Sequence, residues 1–415
     1  MSFSALNISA ARSWLILAST ALGFSALLAI LLVFSRAPVV QDVLGLKSLF
    51  HTILVLHVNF AVLVWLLSFI GSIWLLYSSN PLARLNGWAL KLCVTGAVLM
   101  MFSPLLGEIK PIMSNYVPVI DSPIFFLGLF LFSLGISLLA WQTLRDRSWD
   151  LLRFSALTWF VSLLVLLYHA FQVKAAEPSV FFEALFWGAG HVLQFVYVLI
   201  LWLVWRWPNP EFSKWGKQII MLILAFAIGV TLFLDPNGLV SREAFTSLMR
   251  WGMLLLLIPM LWWWFCQPKK ELDASVTASA LLMMLGVIIG FLIRDDSVIV
   301  TAHYHATNAA VTVAFMGLAY RLLNEFGFRG ISSKWLAAQI SLYTIGMFLY
   351  VLGMASSGWL GVPRKTAMIV DDSLERVSMG IMGLGGAISI IATLIFIGLI
   401  AYAFVGHKKM VKELK

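Results

Sequence analysis

Charged side chains are scarce in this sequence. Asp, Glu, Lys and Arg supply 11% of its 415 residues, whereas soluble globular proteins contain about 25%. Hydrophobic residues make up 61% of the chain, and only short polar segments join the apolar runs. These segments are too short to form a soluble catalytic or nucleic-acid-binding domain, so both classes are excluded.

Cysteine is also scarce, because the chain contains only Cys93 and Cys266. Neither residue lies in a CxxC or CxxCH motif. This excludes a disulfide framework, a thiolate metal site and a haem attached covalently through cysteines. We interpret both cysteines as packing residues.

Long apolar runs dominate what is present. A run of about 20 apolar residues is long enough to cross the ~30 Å hydrocarbon core of a bilayer. The sequence therefore predicts an all-α integral membrane protein, a twelve-helix bundle that forms a single polytopic domain over residues 1–415. The twelve predicted spans are about 13–34, 51–78, 87–106, 118–142, 151–172, 179–206, 215–234, 245–266, 274–293, 297–322, 334–355 and 379–405.

The formal charge of +9 is explained by topology. Basic residues are scattered singly between the spans rather than clustered, which argues against nucleic acid as a partner. With twelve spans both termini lie on one side, and 18 of the 28 Lys and Arg residues fall on that side. The positive-inside rule then predicts a multi-pass membrane protein with both termini in the cytoplasm.

The tenth predicted span carries two histidines, His303 and His305, one residue apart. Residues i and i+2 of a helix project ~200° apart, so the two imidazoles face different partners. Neutral imidazole is the commonest protein ligand for metals, and ionisable side chains within a membrane are functional by default. We interpret this helix as lying between two metal centres, namely two haems, and supplying one histidine to each. The alternative is a pair of interior histidines satisfied by hydrogen bonds.

The predicted topology gathers further histidines in the outer half of the bundle. His57, His303 and His305 lie ~9 to 12 Å below the outer ends of their spans. His57 is then the natural second axial ligand for the haem of His305, and such a bis-imidazole haem carries electrons. His303 would hold a second haem whose other side is open to a small gas, and His191, in FWGAGHVLQFVY, could face that side. Gly188 and Gly190 would let the haem or a neighbouring helix approach.

A basic loop between the last two spans, Gly361-Val362-Pro363-Arg364-Lys365, is predicted on the outer side. Haem propionates need cationic partners, and an arginine can bind a carboxylate with two hydrogen bonds. Arg364 and Lys365 are therefore candidate propionate ligands. A solvated turn is the alternative interpretation.

The last third of the chain resembles the catalytic subunit of the haem–copper oxidase superfamily, which includes cytochrome c oxidase subunit I and the large subunit of nitric oxide reductases. The resemblance lies in DSVIVTAHYHATNAAVTVAFMGLAYRLL, WLGVPRK and SLERVSMGIMGLGGAISI. It implies a low-spin haem held by His57 and His305, a high-spin haem held by His303, and a distal metal on His191. It also implies b-type haems, a quinol or cytochrome c-type electron donor, additional membrane subunits, and a place in the inner (plasma) membrane or an equivalent organelle membrane. The predicted topology puts the haem layer toward the outer side of that membrane.

Two departures from the family's pattern concern the distal metal. The region VTLFLDPNG offers Asp235 where the family carries a histidine pair, and one imidazole does not make a normal copper site. His191 also lacks the glutamate and tyrosine that follow it in many members. Either His169, with Asp235 or Glu183, completes a mixed nitrogen and oxygen site better suited to iron, or there is no distal metal. A distal copper is therefore doubtful.

The sequence thus predicts a respiratory membrane haemoprotein that transfers electrons to a haem that binds or reduces O2 or NO, with His303 and His191 at the catalytic position. One alternative is a non-catalytic subunit that transfers electrons or senses a gas. Another is a transporter whose histidines relay protons, although the broken helices and inverted repeats typical of transporters are not evident.

Overall fold

The structure is a computed structural model that describes nine stretches of the chain. They are residues 4–35, 46–79, 82–106, 110–146, 150–207, 212–268, 272–293, 297–361 and 373–405. Within these stretches, twelve helices are long and apolar enough to cross a membrane. The predicted all-α bundle of twelve spans is therefore confirmed.

The spans are numbered α1 to α12 in chain order. They are Ala5–Phe34, Ser48–Leu76, Ala83–Leu105, Pro123–Arg145, Asp150–Gln172, Pro178–Trp205, Lys214–Phe233, Leu239–Cys266, Ala274–Phe291, Val298–Glu325, Ser333–Trp359 and Ser373–Val405. Two short strands, β1 (Pro111–Ile112) and β2 (Val119–Ile120), form an antiparallel hairpin between α3 and α4.

Two of the spans contain π-helical turns. α2 is formed by the helix Leu46–Val58, which begins two residues before the span, the π-helix Asn59–Val64 and the helix Trp65–Leu76. α8 has a π-helix at Leu248–Gly252. π-Helices are rare and occur often at functional sites. The π-helix of α2 starts two residues after His57, so it indicates a functional segment in this part of α2.

The chain divides into two compact units, which are described separately. The first comprises Met1–Leu28 and Lys47–Trp263, and the second comprises Ala29–Leu46 and Trp264–Lys415. The first unit thus holds α2 to α7 with most of α1 and α8, and the second holds α9 to α12. A single polytopic domain stays a prediction.

Three of the described spans are mostly buried inside the protein. The buried share of the apolar window is 72% in α2, 89% in α6 and 83% in α10, against 33–50% in the others. A span with lipid around it exposes apolar side chains, whereas a buried span meets other helices on most sides. These three buried helices are the ones that carry His57, His191 and the pair His303 and His305.

Side-chain bonds to backbone carbonyls fix the register of helices in the first unit. The Asn7 amide of α1 donates to the carbonyls of Leu76 and Ser78, and the Ser72 hydroxyl of α2 donates to the Ala11 carbonyl. α5 and α6 are joined in the same way by Ser162, which donates to the Ala189 carbonyl at 2.9 Å. This register brings α1 beside His57 and α5 beside His191.

In the second unit, Asp273 ties the start of α9 to the end of α10. Its carboxylate accepts a bond from the Ser275 backbone N–H and pairs with the Arg321 guanidinium at 2.7 Å. Burial alone would raise the pKa of Asp273, but the Ser275 hydrogen bonds and the Arg321 charge outweigh it, so the pKa lies below its ordinary value. The contact holds α9 against α10, where His303 lies.

Candidate functional site

His57, on α2, is oriented by Ser25 of α1. The Nδ1 atom of His57 lies 2.9 Å from the carbonyl oxygen of Ser25 and 3.0 Å from its hydroxyl. The Ser25 hydroxyl also reaches the His57 carbonyl at 3.2 Å, just before the π-helix. Because a carbonyl oxygen only accepts, Nδ1 carries the proton and donates.

His303, on α10, fits into a recess in α9 that two glycines create. Its Nδ1 atom donates to the Gly286 carbonyl at 2.7 Å. A Cβ atom at Gly290 would lie 2.8 Å from the same Nδ1 and 2.9 Å from the neighbouring ring carbon, closer than real contacts allow. Glycine at position 290 is therefore required for the imidazole to reach the Gly286 carbonyl.

His305 faces a different neighbour. Its Nδ1 atom donates to the Thr301 carbonyl of its own helix at 2.9 Å, and its ring packs edge-on against Tyr350 of α11 with centroids 5.0 Å apart. The two histidines of α10 thus meet α9 and α11, in agreement with the projection expected for positions i and i+2.

His191, on α6, is buried between two aromatic rings. Its Nδ1 atom donates to the Trp187 carbonyl at 2.6 Å, and the rings of Trp187 and Tyr116 each lie 4.9 Å from its own. The glycines around it, predicted to admit the haem or a neighbouring helix, are approached by side chains. Gly188 is met by Phe245 of α8, and Gly190 by Tyr116 from the hairpin.

The other two candidate ligands of a distal metal lie in different surroundings. His169, on α5, is 2% exposed, and its Nδ1 donates to the Ala184 carbonyl at 3.2 Å. Its Nε2 is a buried atom without a hydrogen-bond partner among the described residues. Asp235 is exposed between α7 and α8, where it accepts bonds from the backbone and amide of Asn237.

The described residues bring together no group of three or more His, Cys, Asp or Glu side chains able to hold a metal ion. His169, His191 and Asp235 therefore do not form such a group. Arg364 and Lys365, the candidate propionate ligands, lie outside the described residues.

All five candidate histidines share one hydrogen-bond pattern, in which Nδ1 donates to a backbone carbonyl. In a neutral imidazole this bond puts the lone pair on Nε2, the nitrogen that then binds a metal, and such bonds are what orient histidine ligands in metalloproteins. The histidines of α2 and α10 are half-buried rather than fully enclosed. These residues fit axial ligation of haem iron, whereas the donor set around His191 does not fit copper.

Several residues at these sites were not predicted from the sequence. Ser25 and Tyr350 contact histidines far away in the chain, so only the register of the helices reveals them. Tyr116 lies in a loop that carries no motif. The four-residue spacing of Gly286 and Gly290 was an available signal, because it places both glycines on one face of α9.

Comparison with known sequences gives relatives but no function. No family model matches the chain. An uncharacterised protein of Rickettsia prowazekii (strain Madrid E) is 27% identical over 94% of this chain and 95% of its own length. An uncharacterised protein of Aquifex aeolicus (strain VF5) is also 27% identical, over 76% of this chain and 84% of its own.

Comparison with solved structures identifies the fold. The structure of a haem–copper terminal oxidase dimer matches with a TM-score of 0.72, covering 96% of this chain and 84% of that one at 16% sequence identity. The chain has the fold of a haem–copper terminal oxidase. The fold class inferred from the resemblance is therefore confirmed.

Replacing Ser25 tests how His57 is held. In Ser25→Ala the backbone carbonyl still accepts from Nδ1, but the hydroxyl bonds to the ring and to the His57 carbonyl are lost. Loss of such an orienting partner weakens metal binding by about 10–100-fold, and we expect the lower end because one acceptor remains. The haem that the sequence predicts on His57 provides the readout, through haem retention and a redox titration.

Ser19 offers a matched control for Ser25. It lies on the same helix and is buried, and its hydroxyl has no partner among the described residues. Ser19→Ala should leave the titration at its wild-type position. If both variants titrate as the wild type does, Ser25 has no part in holding the ligand.

Proposed function

We propose that the chain is a divergent, catalytic-subunit-like member of the haem–copper oxidase superfamily. It carries electrons from a bis-histidine low-spin haem to a high-spin haem that binds or reduces a small gas, O2 or NO. When bound, haem would supply an iron that takes up and releases an electron and that binds a gas.

The main support comes from two observations. The chain has the fold of a terminal oxidase, and its three most buried spans are the helices that carry the four histidines. Imidazoles in the interior of a membrane protein are costly, and each of these donates from Nδ1 to a carbonyl, which in a neutral ring leaves the lone pair on Nε2.

His57 and His305 hold the low-spin haem. An iron held by two imidazoles would supply electron transfer and would leave no position for a substrate. Ser25 orients the first ring, and Thr301 with Tyr350 orients the second. Rigid second-sphere contacts of this kind reduce reorganisation when the charge on the iron changes.

His303 holds the high-spin haem as its single protein ligand. The short bond to the Gly286 carbonyl orients the ring and raises its basicity. His191 lies on the side where the gas binds, at the catalytic position with His303. The chain has no CxxCH motif, so neither haem would be attached through cysteines, and we propose that both are b-type. Arg364 and Lys365 pair with haem propionates.

The distal metal site is incomplete or absent. His191 contributes one imidazole, and copper favours several nitrogen ligands. A mixed site with His169 and Asp235, better suited to iron, would need these side chains to come together with His191, and among the described residues they do not. Four-electron reduction of O2 normally uses a distal metal, so we expect turnover to be slower than in a fast oxidase.

The protein lies in the inner (plasma) membrane with both termini in the cytoplasm and the haem layer toward the outer side, as the 18 to 10 division of basic residues supports. Electrons come from a quinol or a cytochrome c-type donor. Additional membrane subunits complete the assembly.

The alternative is a non-catalytic subunit that transfers electrons or senses a gas. The specific observation in its favour is that His191 is enclosed by aromatic rings and joins no group of metal-ligating side chains among the described residues. A haem opposite such a histidine would bind a gas without a second metal to share in its reduction.

Carbon monoxide difference spectra of the purified, reduced protein separate these functions from a protein without haem. We expect two b-type signals, one low-spin and unaffected by the gas and the other shifted by it. A low-spin signal alone would favour simple electron transfer. Elemental analysis of the same sample should find copper well below one atom per chain, and one firmly bound copper would show that the distal site is complete.

A further inference from the structure

The hairpin between α3 and α4 carries a tyrosine in an unusual conformation at its tip. β1 and β2 pair Pro111 with Ile120 and Ile112 with Val119, and the chain turns between them. At the turn, Tyr116 has φ +65°, the one positive φ of a non-glycine residue in the described part of the chain. A left-handed backbone is costly for a bulky side chain, and glycine or asparagine would adopt it more easily.

Three contacts anchor the tip from both sides. The Asn115 backbone N–H donates to the Glu183 carboxylate of α6 at 2.6 Å, and the Asn115 amide donates to the same carboxylate. On the other side, the Asn59 amide of α2 donates to the Pro118 carbonyl at 2.7 Å. Within the turn, the Ser114 hydroxyl donates to the carbonyl of Val117. The tip is therefore held between α6 and the π-helix of α2.

The anchored tip places the Tyr116 ring directly against His191. The two ring centroids are 4.9 Å apart with planes inclined at 54°, and Trp187 lies at the same distance from the imidazole. The close approach depends on Gly190, because a Cβ there would lie 2.3 Å from the tyrosine ring. The contact between Tyr116 and His191 thus depends on the strained backbone of Tyr116 and on the recess at Gly190. It also depends on the hydrogen bonds of the tip to Glu183 and Asn59.

Strained residues persist where the surrounding structure fixes them, and they cluster at functional sites. Glycine would form this turn with less strain, so the turn itself does not require a tyrosine. The strained residue instead positions an aromatic ring. The ring meets a histidine whose Nδ1 is already bonded to the Trp187 carbonyl. Together the bond and the two rings restrict rotation of the imidazole.

We propose that Tyr116 is a positioning residue that fixes the plane of the His191 ring and thereby the surroundings of a gas bound opposite His191. The inference rests on the proposed function, since it takes His191 to lie on the gas-binding side of the high-spin haem. The tip is also anchored by Asn59, two residues after the proposed low-spin ligand His57. One loop therefore connects the α2 segment that follows His57 with the imidazole of α6.

The test uses the purified full-length protein with its haem and carbon monoxide as the probe. Tyr116→Gly removes the ring and relieves the backbone, so it should not lower the unfolding temperature through strain. Tyr116→Phe keeps the ring. Gly190→Ala keeps the tyrosine but fills its recess, and Gly229→Ala is the matched control, because a Cβ at Gly229 would meet nothing within 4 Å.

The readout is the infrared stretching band of the bound carbon monoxide, which responds to the groups that face the gas. We expect Tyr116→Gly and Gly190→Ala to shift and broaden the band, and Tyr116→Phe and Gly229→Ala to leave it at the wild-type position. The amount of haem per chain should be the same in all five proteins.

Each other result counts against a specific statement. A haem-containing protein whose band is unchanged in Tyr116→Gly and Gly190→Ala would overturn the inference and leave the proposed function standing. A shift in Tyr116→Phe equal to that in Tyr116→Gly would overturn it too, because the ring would then not suffice. A wild-type protein that contains no haem would overturn the proposed function and this inference with it.

Discussion

His305→Ala is expected to abolish the absorption of the low-spin haem while the protein still binds carbon monoxide. In the proposed function His305 is one of the two imidazoles that hold the low-spin iron, and a b-type haem would have no covalent attachment to retain it. His303 faces another helix and keeps its bond to the Gly286 carbonyl. Reduced-minus-oxidised spectra, recorded with and without carbon monoxide, measure both signals in one sample.

The reciprocal variant is the control for this experiment. His303→Ala should lose carbon monoxide binding and retain the low-spin signal, because His305 bonds to Thr301 of its own helix and packs against Tyr350. If His305→Ala loses carbon monoxide binding alone, the roles of the two histidines are reversed. If both variants keep both signals, neither histidine is a haem ligand.

Gly290→Ala is expected to weaken the binding of the proposed high-spin haem to His303 by about 10–100-fold. The proposed low-spin haem should be retained. The added methyl would lie 2.8 Å from the Nδ1 atom of His303 and must displace the ring. Overpacking of this kind costs about 1–3 kcal/mol in a filled interior. A displaced ring loses its bond to the Gly286 carbonyl, and with it the orientation of Nε2. Carbon monoxide titration and haem content measure the loss.

Gly398→Ala controls for the general effect of replacing a helical glycine by alanine. Gly398 lies on α12 in the same unit, and a Cβ there would meet nothing within 4 Å. This variant should bind carbon monoxide as the wild type does. Equal affinities in Gly290→Ala and Gly398→Ala would show that the recess in α9 does not determine how His303 binds haem.

The twelve spans were predictable because crossing a bilayer is a local property of the chain. Each span needs only a run of apolar residues, and every predicted run overlaps an observed helix. The helix ends were less predictable. α8 begins at Leu239, six residues before its predicted start, because the helix continues through Arg242 and Glu243, where the apolar run has ended.

The start of α4 was wrong in the opposite sense. The predicted helix began at about residue 118, but Val119 and Ile120 form β2, and α4 begins at Pro123. Apolar character alone does not distinguish a short buried strand from the first turn of a helix. Proline at the first helical position was the available signal for the true start.

The candidate site was predictable only in part. The separation of His303 and His305 onto two sides of α10 follows from the helical repeat, and the structure shows α9 beside one ring and α11 beside the other. What orients each ring did not follow, because the partners of His57 and His191 lie 32 and 75 residues away in sequence, at Ser25 and Tyr116. Such contacts depend on helix register and on one loop, which a single sequence does not encode in any motif.

Haem content per chain shows whether the protein binds the two haems that we propose. The protein purified from membranes in mild detergent is assayed for extractable haem against protein concentration. Four histidines on α2, α6 and α10, with Nδ1 of each bonded to a carbonyl, predict two non-covalent b-type haems per chain. A well-folded preparation that contains no haem would contradict the account.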